Sequence, residues 1–142
     1  MRKRSPLYRY LDHTADVGCE VFGKTRRELY EQAALALFSL VAPREKVKAR
    51  KERMVEVSGM DEIDLWVSYL RELLYLINGE GFLGHGVKIT SLGPKKVSCL
   101  VKGEPLDYER HGPIREVKAV TYHGAQVDKT PQGWRGSFIC DI

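Results

Sequence analysis

Tyr10-Leu11-Asp12-His13-Thr14-Ala15-Asp16-Val17-Gly18 is the stretch on which the reading of the fold turns. Tyr8 to Leu11 before it reads as the end of a first strand, and Val17 to Phe22 after it as a second. The residues between them read as a turn, which makes the pair a hairpin or corner. Asp, His and Thr in a turn bond their own backbone, as in an Asx-type turn. The same side chains also suit a metal site: Asp12 and Asp16 are hard oxygen donors for magnesium, manganese or calcium. Both readings stay open on this stretch alone.

Outward from the turn, the spacing predicts two long helices. Thr25-Arg26-Arg27-Glu28 is a capping box, in which the Thr25 hydroxyl accepts from the backbone at N3 and Glu28 reaches back. Leu29, Ala33, Ala36, Leu37 and Leu40 recur at helical spacing, widened by Tyr30, Ala34, Phe38 and Val41, so this helix is largely buried. Pro43 ends it. Asp61 is the N-cap of a second helix, with Glu62 and Asp64 in its first turn. Leu65, Trp66, Tyr69, Leu70, Leu73, Leu76 and Ile77 form its apolar face, Arg71 and Glu72 its wet side, and Asn78-Gly79 with Gly81 its end.

The rest has the period of strands. Arg44 to Val57 is the most charged run, with Val47, Ala49, Val55 and Val57 on one parity. It reads as an edge strand guarded by its charges, or as a phosphate-facing surface. Val87 and Ile89 belong to one strand, Val97, Cys99 and Val101 to the next, and Gly103 to Pro113 is a long connection. Val117 to Val127 and Trp134 to Ile142 are the last two strands. Strands that do not alternate strictly with helices indicate α+β. The expected architecture is a single domain over residues 1–142, with two helices packed on one face of a mostly antiparallel sheet.

Composition narrows the function. The chain has 142 residues, 43% hydrophobic and 30% charged, with a net charge of +4. No apolar run reaches the roughly 18 residues of a membrane span, and no apolar segment follows the basic Arg2-Lys3-Arg4, so the expectation is a cytoplasmic protein without a membrane partner. Cys19, Cys99 and Cys140 are far apart and odd in number, which reads as buried apolar residues rather than a disulfide framework or zinc knuckle. Four side-chain amides among many charges are the composition of a heat-stable protein. Gly79-Glu80-Gly81-Phe82-Leu83-Gly84 fits the bare dinucleotide string but follows a helix, so it reads as a helix stop and a loop. His13, His85, His111 and His123 have no metal spacing, and neither a nucleophile elbow nor a Walker loop is present.

The C-terminus adds a second acidic group. Asp141 and the Ile142 carboxylate sit on a strand that Phe138 and Ile142 must hold in place. If the last strand lies beside the first, Asp12, Asp141 and the terminal carboxylate converge, and they repel one another unless a cation binds or one stays protonated. Lys118 lies in Glu116-Val117-Lys118-Ala119-Val120-Thr121-Tyr122-His123, either on an exposed strand face or in contact with a partner or phosphate.

Three motifs together, Tyr10-Leu11-Asp12-His13-Thr14-Ala15-Asp16, Glu116 to His123 and Ile139-Cys140-Asp141-Ile142, resemble the archease family over essentially the whole chain. The resemblance implies an accessory protein rather than a free-standing enzyme. Its partner is the tRNA-splicing RNA ligase of the RtcB type, whose guanylylation and multiple turnover it promotes, with tRNA involved indirectly. Chaperone-like activity is also implied. Metal ligands, for calcium, magnesium or manganese, map onto Asp12, Asp141 and Ile142, and Asp12, Asp141 and Lys118 onto ligase activation. His13 and Asp16 are candidates for a supporting shell. The competing readings are a small metal-dependent hydrolase using the same carboxylates and a non-catalytic RNA-binding module using the basic run.

Overall fold

A computed structural model describes residues 7–12 and 16–142, except for the side chain of Asp12. In chain order the elements are β1 (Tyr8–Asp12), β2 (Asp16–Gly23), α1 (Arg26–Val41), a 3-10 turn (Arg44–Lys46), β3 (Lys51–Ser58), α2 (Glu62–Asn78), β4 (Phe82–Leu92), β5 (Lys96–Pro105), α3 (Tyr108–His111), β6 (Ala119–Thr130) and β7 (Gly133–Asp141). The α+β class and the antiparallel pairing match the expectation. The strands divide into two sheets, β1-β2-β7-β6 and β3-β5-β4. α1 packs on β2 and on β4, and α2 on β6 and on β3, so each helix covers one face of each sheet.

Local chemistry sets the helix ends. The Glu28 N–H donates to Thr25 Oγ1 at 3.1 Å, while Glu28 Oε1 accepts from the Lys24 N–H at 2.9 Å. The Asp64 N–H donates to Asp61 Oδ1 at 2.9 Å. Each cap satisfies donors that the first turn leaves without a partner, worth about 1 kcal/mol. At the other end of α2, Gly81 takes φ +65°, and its N–H reaches the Ile77 carbonyl.

Burial on two sides explains why α1 is apolar nearly all round. Leu29, Tyr30, Ala33, Ala34, Ala36, Leu37, Phe38, Leu40 and Val41 are all buried. Tyr30 is the hub between the helices. Its ring meets Trp66 edge-on at 5.1 Å and Tyr69 at 5.0 Å, its hydroxyl donates to Glu62 Oε2 at 2.7 Å, and Arg26 grips the same carboxylate with two bonds of 2.8 Å. The Trp66 Nε1–H donates to the Ser137 carbonyl at 2.9 Å, which fixes α2 across β7.

Three expectations need correction. The last strand lies beside β2, and β1 is one strand further out. The run from Arg44 is strand only from Lys51, because Val47 is buried where its carbonyl accepts from His85 Nδ1 at 2.7 Å, and this draws residues 44–48 into a turn and strap. The Gly103–Pro113 connection holds the end of β5 and the short α3. Both form around Glu104, which is wholly buried and accepts from the Lys48 N–H (2.8 Å), His111 Nε2 (3.0 Å) and Arg110. The Asp107 N–H donates to His111 Nδ1, so the His111 proton is on Nε2, facing the carboxylate. These bonds outweigh the opposing effect of burial and hold the Glu104 pKa at about 2.

Candidate metal centre

Register, rather than sequence proximity, assembles the acidic end of the first sheet. Asp16, the first residue of β2, pairs with Asp141 near the end of β7, and Asp141 pairs on its other side with Ala119 of β6. One residue upstream, the Lys118 N–H donates to the Asp141 carbonyl at 2.8 Å. Asp12 ends β1 opposite Val17, which pairs in turn with Cys140. The three motifs therefore meet at one tip. His13, Thr14, Ala15 and the Asp12 side chain lie outside the described residues, and so does the turn they were expected to form.

Asp12 and Asp141 are separated by β2, two strand spacings or roughly 10 Å between backbones. In register, Asp12 is level with Val17 and Cys140, one residue out of step with the Asp16–Asp141 pair. The donors there are carboxylate oxygens, the chemistry that calcium, magnesium and manganese prefer. α2 runs antiparallel to β6 and brings its negative C-terminal end to this tip, with no basic residue in its last turn. Among the described residues no three His, Cys, Asp or Glu side chains already form a metal cluster.

Lys118 is exposed, at the head of a groove of about 340 Å³ that Arg71, Tyr75, Asn78 and Val120 also line. A polar stripe on α2, not singled out in the sequence, holds this segment. The Asn78 amide donates to the Val117 carbonyl at 2.8 Å, and Arg71 Nε to the Val120 carbonyl at 2.8 Å. The Arg71 guanidinium lies 4.5 Å over the Tyr122 ring, and the Tyr122 hydroxyl donates to Asp64 at 2.6 Å. That bond keeps the Asp64 carboxyl below its ordinary range and pushes the Tyr122 phenol up. Asp64, Arg71 and Asn78 are seven residues apart, two helical turns each, and that spacing was the available signal. Beyond Thr121 the register with β7 shifts over Tyr122 to Ala125, where Gly124 at φ +75° closes over Ile139.

The cysteines behave as apolar filling. All three are free and buried. Burial, then the neighbouring Asp141 charge, pushes the Cys140 thiol up to about 12, and burial does the same to Cys99. Neither supplies a thiolate at neutral pH.

The comparisons with known proteins point to one family. A family model described as the Archease protein family (MTH1598/TM1083) matches residues 8–142. Similar relatives include the protein archease of Thermococcus gammatolerans, 39% identical over 95% of this chain and 98% of that one. The protein archease of Methanosarcina barkeri is 32% identical over the full length of both. The solution structure of protein 1598 from Methanobacterium thermoautotrophicum superposes with a TM-score of 0.82 at 27% identity, covering 97% of this chain and all of that one. The crystal structure of an archease, possible chaperone, from Thermotoga maritima shares the fold at a TM-score of 0.62 and 20% identity, covering 100% and 99%. The chain belongs to the archease family.

Proposed function

We propose that the protein is a metal-binding accessory factor that activates the tRNA-splicing RNA ligase of the RtcB type by promoting its guanylylation and multiple turnover. One observation carries most weight. The register of Asp16 and Ala119 on Asp141, with the Lys118 N–H on the Asp141 carbonyl, gathers all three motifs at one end of one sheet. Asp12, Asp141 and the α-carboxylate of Ile142 are the proposed ligands, supported by His13 and Asp16. A divalent ion held there supplies concentrated positive charge next to a nucleotide phosphate. Lys118, fixed by its backbone bond to Asp141 and exposed, supplies a second cation. The tip docks at the ligase's nucleotide site, the chemistry stays with the ligase, and tRNA is involved through it, in the cytoplasm. A chaperone-like role, as suggested for the Thermotoga relative, fits the same docking surface.

The test is ligase guanylylation by GTP with wild type and with Asp12→Ala, Asp141→Ala and Lys118→Ala. Loss of stimulation by all three supports the reading, and undiminished stimulation refutes it. Metal-dependent phosphoester turnover by the isolated protein would instead favour the hydrolase alternative.

A further inference from the structure

The charge of the chain is concentrated in one place, away from the acidic tip. Arg44, Lys46, Lys48, Arg50 and Lys51 against Glu45 give residues 44–51 a net charge of +4, the net charge of the whole chain, so the remaining residues cancel. All six side chains are exposed. Arg44 and Arg50 are partly engaged, by the His85 carbonyl at 3.0 Å and by Glu104 at 3.7 Å. Among the described residues Lys46, Lys48 and Lys51 make no ion pair.

This strap is held in shape from below. Val47 is buried and tied to His85, and the Lys48 N–H is tied to the buried Glu104. The same carboxylate binds His111 and Arg110 of α3, the short turn that also carries Tyr108. Tyr108 is 66% exposed. Fixing the backbone in advance lowers the entropy lost when a ligand orders the cations.

We infer that residues 44–51, with Tyr108, bind the sugar–phosphate backbone of single-stranded RNA without sequence preference. Cations clustered along one strap, with an exposed aromatic ring on the turn anchored by the same carboxylate, match a single strand, whose phosphates meet the cations and whose bases stack on the ring. An anionic membrane is the other polyanion that such charges attract, and the test includes it. The inference concerns the isolated protein and is independent of the ligase reading.

The experiment follows fluorescence anisotropy of a short labelled single-stranded RNA with the full chain. Neutralising about three phosphates gives a slope near −2 in log K against log salt, a loss of about 20-fold between roughly 50 and 200 mM KCl. The triple variant K46E/K48E/K51E is expected to bind at least about tenfold more weakly. K95E/K96E/K129E carries the same charge change at exposed sites outside the strap and is expected to stay within about threefold. Tyr108→Ala is expected to lose at least about fivefold. Thermal melts of each variant confirm that it folds. Equal losses in the two triple variants, a flat salt response, no binding to the wild type, or tighter strap-dependent binding to phosphatidylserine vesicles than to RNA would each overturn the inference.

Discussion

Replacing Glu104 by glutamine removes one charge and almost no volume from a site where the structure allows the cost to be worked out. The carboxylate is wholly buried and holds three segments together: the strap through the Lys48 N–H, α3 through His111 and Arg110, and β5 through its own backbone. Its pKa of about 2, against an ordinary 4.5, corresponds to roughly 3 kcal/mol at 1.36 kcal/mol per pH unit. Its guanidinium partners Arg110 and Arg50 are 39% and 57% exposed, so water screens part of that interaction, and about 2 kcal/mol is the expected loss. The amide –NH2 of glutamine would also face donors, which points the same way. For a chain of this size, that loss lowers the melting midpoint by about 5–10 °C. Because the folded-state pKa is depressed, the stabilisation is fully present above about pH 4.5 and is lost as the pH falls towards 2. Urea unfolding of wild type and Glu104→Gln followed by circular dichroism is therefore expected to show a gap of about 2 kcal/mol at neutral pH that closes on acidification. A gap that does not change with pH, or no gap at neutral pH, would refute the assignment of Glu104 as an ionised anchor.

Other consequences are accessible to simple measurements. Lys118→Ala should abolish most ligase stimulation yet change stability by no more than about 0.5 kcal/mol in a urea melt, because Lys118 meets Asp141 through its backbone N–H and its side chain is exposed. The three buried thiols should resist a thiol reagent at neutral pH in the native protein and all react once it is unfolded; rapid native labelling of Cys140 would contradict its packing. A melting midpoint above the mesophile range of about 45–65 °C is expected from the scarcity of amides and the many charges, and a value inside that range would remove this reading.

The helices were legible because their signals are local. Thr25, Glu28 and Asp61 announce the starts, and Pro43 and the glycines after Asn78 the ends. The strands were legible by alternation, but their partners were not. Nothing in the parity of Val97, Cys99 and Val101 distinguishes a second sheet from an extension of the first, and nothing in Phe138 and Cys140 says that β7 pairs with Val17 and Cys19 rather than with Tyr10. Val47 and Ala49 share the parity of Val55 and Val57, yet a buried anchor and two long-range bonds, to His85 and Glu104, override the pattern. Of the site, the acids and Lys118 were readable from the motifs. Their assembly was not, because it depends on register between strands more than a hundred residues apart, and the motif makes Asp16 only a supporting residue although it is the one directly opposite Asp141. Arg71 was read as a wet-face residue, and its role in holding Val120 and Tyr122 emerges only once β6 is laid along α2.

The most direct test of the central claim is a calcium titration of the isolated protein followed by backbone amide NMR. Saturable shifts are expected to centre on Asp16, Val17, Lys118, Ala119, Asp141 and Ile142, with little change in the β3-β5-β4 sheet and loss of the response in Asp141→Asn and Asp12→Asn. Shifts centred elsewhere, or an undiminished response in both variants, would contradict that claim.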